Sequence, residues 1–339
     1  KAWLAGDMDA AQPVMRAPDM LARKQITLRT HTRVAAIDRT TRQVHLADGS
    51  SLPYSGLVLA TGSTPRALPV PGGDLPGVLP LRSRDDADAV ALRLAHCVAQ
   101  QLPVVVIGGG FIGLEVAATA RKKGLAVTVL EAAPRLLGRV LAPVLSDWYA
   151  ALHRSQGVTL QLDARITALQ AGPDGAVAGV ALADGSVLPA GLVLVGIGVS
   201  ANDQLAQAAG LECDRGIVVD THTRTSDPHI VAAGDCTARR LADGSLLRLE
   251  SVQNATEQGR SAAAALLGQD RPFTATPWFW SDQYDKKLQM AGLSGGAEAW
   301  AVRGDMGSGS FSVYHFRAGS LIAVDSVNAA KDHMQARKL

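Results

Sequence analysis

Residues 103–113, PVVVIGGGFIG, decide the fold. The apolar residues at their start predict a short buried strand, and the glycine-rich run GGGFIG follows at once. A helical stretch comes next, at 114–123, and a second strand, at 126–130, ends on Glu131. The order strand, GxGxxG, helix, strand and acid is typical of a dinucleotide-binding fold.

Each residue of this motif has a separate task. Gly108 permits the tight turn, Gly110 lets the backbone approach a pyrophosphate, and Gly113 lets the helix lie close to the strand. The free N–H groups at the start of the helix attract phosphate. Glu131 follows Gly113 at a distance suited to an acid that binds a ribose, so the motif predicts an NAD site.

An internal repeat indicates a second, related domain. Residues 46–62 read LADGSSLPYSGLVLATG, and residues 182–198 read LADGSVLPAGLVLVGIG. Each copy predicts a strand, an Asp-Gly hairpin turn and a buried strand that ends on glycine. A third ADGS, at 242–245, predicts only a turn.

The spacing of the repeat locates the first domain's own glycine motif. In the second copy the motif begins at residue 108 and LADGS at residue 182, and the same offset before residue 46 lies upstream of Lys1. We therefore expect the FAD phosphate loop to be missing from this chain. Two dinucleotide folds indicate two dinucleotides, a bound flavin for the first and a diffusing NADH for the second.

Composition excludes several classes of protein. Of 339 residues, 47% are hydrophobic and 19% are charged, which is typical of a soluble globular protein. The net charge of +2 gives no indication of nucleic-acid binding, and the apolar runs fall short of the roughly 18 residues that a membrane span needs. Cys97, Cys213 and Cys236 and the eight histidines form no metal motif, so we expect no metal and a cytoplasmic setting.

The motifs resemble those of the FAD-dependent pyridine nucleotide reductases, and within them the ferredoxin reductases of oxygenase systems. The segments that carry the resemblance are KAWLAGD (1–7), LVLATGSTPR (57–66), VVVIGGGFIGLEVAATA (104–120), VGIGVSAN (195–202), TSDPHIVAAGDC (225–236), RLESVQNATEQ (248–258), PWFWSDQYDKKLQMAGL (277–293) and DHMQARKL (332–339). The resemblance implies an α/β, glutathione-reductase-like fold. Two Rossmann-type domains are then followed by a C-terminal α+β interface domain.

The same resemblance implies the domain boundaries and the residues that bind FAD. The FAD-binding domain would comprise 1–65 and 199–271, the NAD-binding domain 66–198 and the interface domain 272–339. The implied cofactor contacts are Lys1 at the flavin ring, Val34 at the adenine, Thr61 and Gly62 in the turn beside the cofactor, Arg82 at the flavin, Asp235 at the ribityl-diphosphate, Val252 at the pyrimidine end of the flavin, and Gly198. Four of these residues have another interpretation. Asp235 is alternatively a helix cap and Arg82 a surface charge, while Val34 is alternatively a core residue and Lys1 a solvated chain terminus.

Three residues are implied in catalysis. In the family, a glutamate at the position of Glu115 pairs with the lysine at the position of Lys1, beside flavin N5. The alternative for Glu115 is a first-turn acid that complements the helix dipole. Trp280, in an aromatic cluster, is the predicted electron exit, and ordinary packing is its alternative.

The predicted function is FAD-dependent oxidation of NADH with single-electron transfer to a two-iron ferredoxin, by a monomer or weak homodimer. Alternatives within the enzymes are an NADH oxidase and the flavin subunit of a nitrite reductase. A redox scaffold of the apoptosis-inducing-factor type would need a more basic surface. The GxSxG at 292–296 precedes a predicted strand rather than a helix, which argues against a hydrolase. The WFWSDQ segment argues against a redox-active cysteine pair.

Overall fold

The computed structural model describes residues 2–6 and 16–338. These residues form two compact units, and the chain passes repeatedly from one to the other. The first unit contains residues 2–6, 65–199 and 276–338, and the second contains residues 16–64 and 200–275. The predicted division into FAD-binding, NAD-binding and interface domains stays a prediction.

The helices are short to medium in length, and the strands belong to several small sheets. The helices are α1 (Ala2–Ala5), α2 (Pro18–Arg23), α3 (Arg84–Gln100), α4 (Phe111–Lys122), α5 (Pro143–Ser155), α6 (Gln204–Ala208), α7 (Val252–Leu266) and α8 (Ala330–Ala336). The strands are β1 (Val34–Asp38), β2 (Gln43–Leu46), β3 (Ser51–Pro53), β4 (Leu57–Leu59), β5 (Ser63–Pro65), β6 (Val78–Leu79), β7 (Val104–Ile107), β8 (Val127–Leu130), β9 (Val158–Gln161), β10 (Ile166–Ala171), β11 (Val177–Leu182), β12 (Val187–Pro189), β13 (Leu192–Val195), β14 (Val199–Ala201), β15 (Ile217–Val219), β16 (Ile230–Ala232), β17 (Thr237–Arg240), β18 (Leu246–Leu247), β19 (Trp278–Gln283), β20 (Lys286–Gly292), β21 (Ala299–Asp305), β22 (Ser310–Arg317) and β23 (Ser320–Val327).

A parallel sheet organises the nucleotide-binding part of the first unit. Its strand order is β6-β13-β7-β8-β9. All four residues of β7 and all four of β13 are buried, as expected for strands covered on both faces. Helix α4 joins β7 to β8, so the predicted strand–glycine–helix–strand order is present.

A second sheet of the first unit is antiparallel, with the order β19-β20-β23-β22-β21. Alternate residues of its strands, among them Leu288, Phe311, Val313 and Val327, belong to the same buried cluster as Leu114 of α4. Helix α8 packs against β20 and β23. Strand β19, at one edge of this sheet, lies next to α4.

The second unit contains small sheets and one long helix. Its sheets have the orders β1-β2-β3, β15-β17-β18 and β16-β4, and the last of these is parallel. Helix α7 packs against β16. Its N-cap is Ser251, whose side chain accepts a hydrogen bond from the Asn254 N–H. Ala262 of α7 forms a buried cluster with Val231 and Ala233.

The repeated hairpins adopt the same local geometry. Gly49 and Gly185 have φ angles of +86° and +85°, which glycine adopts without steric cost. In both turns the serine after the glycine donates its backbone N–H to an aspartate carboxylate, at 2.9 Å. The interpretation of 242–245 as a turn alone was wrong, because the short strand β18 follows it and pairs with β17.

The boundary of α4 also differs from the prediction. The helix begins at Phe111 rather than at residue 114, because the extended residue Gly110 is its N-cap and Gly113 already lies inside it. No helix among residues 2–6 and 16–338 is long and apolar enough to cross a membrane.

Candidate functional site

The glycine loop between β7 and α4 is closely packed at two positions and open at a third. A Cβ on Gly108 would lie 2.4 Å from the carbonyl oxygen of Gly196, and Gly108 has a φ of +106°. A Cβ on Gly113 would lie 2.2 Å from the carbonyl oxygen of Gly108. By contrast, nothing lies within 4 Å of a Cβ on Gly110. The loop is therefore held by glycine contacts behind it and is open in front.

Glu131 fixes this loop to the end of β8. One carboxylate oxygen accepts the N–H of Gly109 at 2.6 Å, and the other accepts the N–H of Ala133 at 2.8 Å. Each oxygen keeps acceptor capacity, because an ionised carboxylate offers about four acceptor positions. The open face at Gly110, the start of α4 and this acid together fit the pyrophosphate and ribose of a dinucleotide.

Glu115 lies on α4 and contacts strand β19. Its Oε1 accepts hydrogen bonds from the Ser281 hydroxyl at 2.7 Å and from the Asp282 backbone N–H at 3.1 Å. The interpretation of Glu115 as a first-turn acid was wrong, because α4 begins at Phe111 and its first turn holds no acid. The helix dipole therefore does not account for the presence of this carboxylate.

Strand β19 carries different chemistry on its two faces, because successive side chains point to opposite sides. Phe279 packs on Phe111 of α4, with ring centroids 4.8 Å apart. Trp280 points the other way, is 37% exposed, and lies 5.6 Å from the ring of Trp278. The Arg337 guanidinium lies 4.6 Å above the Trp278 ring. The exposed indole is thus held in an aromatic stack.

A cavity of about 460 Å³ lies within the second unit. Val34, at the start of β1, and Thr61, after β4, both line it, as does Asn202. The Thr61 hydroxyl donates to the Asn202 carbonyl, and the Asn202 amide returns a hydrogen bond to the Thr61 carbonyl at 2.9 Å. The structure thus brings two of the predicted FAD residues to one cavity.

Three more predicted FAD residues also lie in the second unit. Gly62, beside Thr61, has a φ of +70°. The Asp235 carboxylate follows Gly234 and accepts a hydrogen bond from the Ser63 hydroxyl at 3.0 Å. Val252 is the first residue of α7 and is 63% exposed, at a position where helix N–H groups have no intrahelical partner. These groups fit polar parts of a dinucleotide.

The remaining predicted residues lie elsewhere. Arg82, in the first unit, is exposed and directly precedes Ser83, the N-cap of α3. Gly198, also in the first unit, has a φ of +101°, and its carbonyl accepts the Arg66 N–H at 3.0 Å. Lys1 lies outside the described residues. The roles of these three residues stay predictions.

The chain matches two protein-family models. Residues 5–259 match the pyridine nucleotide-disulphide oxidoreductase model, and residues 278–339 match a reductase C-terminal model. The first match covers well over half of the chain. The chain belongs to the pyridine nucleotide-disulphide oxidoreductase family. The predicted family and fold class are confirmed.

Two similar reductases match this oxidoreductase over its whole length. Rhodocoxin reductase of Rhodococcus erythropolis is 46% identical, over 100% of this chain and 78% of its own length. Putidaredoxin reductase of Pseudomonas putida is 44% identical, over 100% of this chain and 81% of its own length.

Solved structures of reductases superpose closely. The ferredoxin reductase for the CYP199A2 system from Rhodopseudomonas palustris has a TM-score of 0.95 at 44% identity, over 100% of this chain and 83% of that one. The reductase in a covalent putidaredoxin reductase–putidaredoxin complex has a TM-score of 0.93 at 43% identity, over 100% of this chain and 81% of that one.

The family uses FAD and NAD(P)H, and the glycine loop and the cavity of the second unit fit these groups. The oxidoreductase is a flavoprotein. Its three cysteines are free thiols. Burial raises the pKa of Cys97, and it raises the pKa of Cys213 to about 11. Because the thiolate is the reactive form, neither thiol is suited to disulfide chemistry at neutral pH.

Sequence reasoning missed four polar residues of the two sites. Ser281 bonds Glu115, the fully buried Gln283 and His153 bond each other, and Asn202 bonds Thr61. The sequence offered one signal for two of them. Ser281 and Gln283 are polar residues at alternate positions of a strand that begins with three aromatic residues, which places both on one face.

Proposed function

We propose that this oxidoreductase is an NADH-dependent ferredoxin reductase of an oxygenase system. Bound FAD would accept two electrons from NADH and release them singly to a two-iron ferredoxin. The proposal is supported by relatives named rhodocoxin reductase and putidaredoxin reductase, which match the chain over its full length. It is also supported by the likeness to a reductase that was solved in complex with putidaredoxin.

One geometrical observation carries the proposal. Strand β19 touches the nucleotide-binding helix on one face, through Ser281 and Glu115, and presents the half-exposed Trp280 on the other. A single strand therefore connects the predicted NADH site to a surface that a second protein can reach. An aromatic side chain at such a surface provides contact area for a partner protein.

The nucleotide would be held by the glycine loop. Gly108 and Gly113 keep α4 close to β7, and Gly110 leaves the pyrophosphate room to approach the helix N-terminus. Glu131 would accept hydrogen bonds from an unmodified ribose and repel a ribose phosphate, which favours NADH over NADPH.

The remaining assignments extend the same proposal. Lys1, Val34, Thr61, Gly62, Arg82, Gly198, Asp235 and Val252 are proposed to hold FAD. Glu115 is proposed to orient a neighbouring cation and to stabilise charge that develops during NADH oxidation, and Trp280 is proposed as the electron exit. We expect a monomer or weak homodimer, which sedimentation velocity at two protein concentrations would measure.

The test compares electron acceptors for the FAD-loaded protein. NADH oxidation is measured with ferricyanide, with dissolved oxygen, and with purified two-iron ferredoxins from oxygenase systems. We expect fast turnover with ferricyanide and with at least one ferredoxin, and slow turnover with oxygen. Equally fast turnover with oxygen alone would contradict the proposal and indicate an NADH oxidase.

A further inference from the structure

A continuous run of hydrogen bonds ends at Glu115. The Tyr284 hydroxyl lies 3.2 Å from Nδ1 of His153, and Nε2 of His153 lies 2.8 Å from the amide oxygen of Gln283. The amide nitrogen of Gln283 lies 3.2 Å from the Ser281 hydroxyl, which lies 2.7 Å from Oε1 of Glu115. Four hydrogen bonds therefore connect α5, the β19–β20 turn, strand β19 and α4.

The middle of this run is enclosed. Ser281, Gln283 and His153 have no solvent exposure. The elements around them, α4, α5 and the C-terminal sheet, contribute apolar residues to one buried cluster. A buried polar side chain is destabilising unless its hydrogen bonds are made, and apolar residues of similar size are tolerated well in such places. Three buried polar residues joined by hydrogen bonds call for an explanation beyond packing.

The chemistry of the groups allows one direction only. The Ser281 hydroxyl has a single hydrogen, which it donates to Oε1 of Glu115. Ser281 must then accept from the Gln283 amide nitrogen, which turns the amide oxygen toward His153.

The hydrogen bonds of His153 have the same donor-to-acceptor direction. His153 must carry its hydrogen on Nε2, and burial lowers the pKa of this imidazole, so it is neutral and accepts at Nδ1. Burial raises the pKa of Tyr284 to about 12, so its hydroxyl keeps the hydrogen that it donates. Every hydrogen in the run therefore points toward Glu115.

The turn between β19 and β20 places Tyr284 at the start of the run. Its φ is +57°, a left-handed backbone conformation that is uncommon for a large side chain. This conformation places the tyrosine in the two-residue turn between β19 and β20, with its ring 5.1 Å from that of His153. A positive φ is usual at the first central residue of a two-residue hairpin turn, so the hairpin fixes the place of this tyrosine.

We propose that Gln283 and His153 are positioning residues for Glu115. They act through the Ser281 hydroxyl, whose orientation they fix, so that the C-terminal sheet sets the position of a carboxylate on the nucleotide-binding helix. This inference rests on the proposed function, in which Glu115 assists the oxidation of NADH.

The first test reads the direction of the run and needs neither NADH nor turnover. Protein labelled with ¹⁵N on histidine is studied by long-range ¹H–¹⁵N NMR, and the His153 signals are assigned from their loss in His153→Gln. We expect the Nε2–H tautomer. Glu115→Ala removes the carboxylate acceptor, so the donors and acceptors of the run can exchange roles. The ratio of the Nε2–H to the Nδ1–H tautomer of His153 should then fall about tenfold, as expected for one charge-assisted hydrogen bond.

A matched control removes another carboxylate from the same region. Asp147 lies on α5, the helix that carries His153, and it is exposed. Asp147→Ala should leave the His153 tautomer unchanged. An unchanged ratio in Glu115→Ala, or an Nδ1–H tautomer in the wild type, overturns the inference.

The second test measures the effect of positioning. Gln283→Met keeps the length of the side chain and removes its donor and acceptor. We expect flavin reduction by NADH to slow about three- to tenfold while the Kd for NADH stays constant, because the interaction is felt mainly in the transition state. Gln289→Met, the same change on the neighbouring strand β20, is the control.

The outcomes separate this inference from the proposed function. A Gln283→Met protein that reduces its flavin at the wild-type rate contradicts the positioning role. A Glu115→Ala protein that does so contradicts the proposed role of Glu115 itself, whatever the His153 spectra show. If Gln283→Met fails to fold, the tautomer measurement on Glu115→Ala still decides the inference.

Discussion

The Ser281 hydroxyl donates a 2.7 Å hydrogen bond to the carboxylate of Glu115, across 166 residues of sequence. This contact holds a charged side chain of the nucleotide-binding helix against a strand of the C-terminal sheet. We expect Glu115→Ala to slow flavin reduction in stopped flow about 10- to 100-fold, the size expected for one misplaced electrostatic group. Binding of NADH should change little. Asp147→Ala is the control, and a wild-type rate in Glu115→Ala would refute the prediction.

Glu131 should determine the choice of nucleotide. The loss of ribose hydrogen bonds and the repulsion of a phosphate should together cost about 2–4 kcal/mol, so kcat/KM should favour NADH over NADPH by roughly 30- to 1000-fold. Glu131→Gln keeps an acceptor for the Gly109 N–H and removes the charge. We expect the preference to fall about tenfold, as measured by steady-state kinetics with both nucleotides. Equal use of both by the wild type would disprove the assignment.

Alanine substitutions at two glycines of the glycine loop should have different effects, one on stability and the other on NADH binding. Gly113→Ala forces a Cβ to within 2.2 Å of a backbone oxygen, so the unfolding free energy in urea should fall by about 1–3 kcal/mol. Gly110→Ala meets nothing within 4 Å, so it should unfold like the wild type. Its methyl group nevertheless faces the expected pyrophosphate, and the Kd for NADH should rise about tenfold. Unaltered NADH binding in Gly110→Ala would place the nucleotide elsewhere.

Trp280 should affect the second half of the reaction alone. We expect Trp280→Ala to slow the reduction of a two-iron ferredoxin about tenfold or more, and to leave NADH oxidation with ferricyanide unchanged. Trp300 is a suitable control, because it is 47% exposed and lies on β21, at the other edge of the same sheet. Equal ferredoxin rates in the two variants would remove Trp280 from the electron path.

Two buried histidines should make stability depend on pH. Burial lowers the pKa of His153, and burial together with the Arg337 guanidinium lowers the pKa of His333. Below about pH 6.5 the unfolded chain binds protons at these positions that the folded chain does not, so stability falls as the pH decreases from 7 to 5. The urea midpoint should therefore rise with pH in this window. His333→Gln should reduce the slope, whereas His96→Gln, which alters an exposed residue, should not.

The nucleotide-binding motif could be predicted because its parts lie close together in sequence. The strand before Gly108, the helix after it and the acid at Glu131 follow one another within about 30 residues, and local periodicity and glycine geometry describe them. The start of α4 was placed too late, because a glycine in a motif gives no signal of whether it lies before a helix or inside it.

The contacts of Glu115 could not be predicted from the same signals. Periodicity shows that Ser281 and Gln283 share one face of a strand, but no local pattern tells which helix that face will meet. Long-range contacts of this kind depend on how whole elements pack. The alternative interpretation of Glu115 as a dipole-complementing acid failed for a similar reason, since it depended on a helix boundary that only the packing defines.

The first unit combines 65–199 with 276–338, and this affects the order of events while the protein is being made. At about 5–20 residues per second, Glu115 leaves the ribosome some 8 to 33 s before Ser281. Throughout that interval the apolar face of α4 has no C-terminal sheet to cover it. Synonymous codons that slow translation between 200 and 275 should therefore reduce the yield of native protein more than the same codons placed after 283.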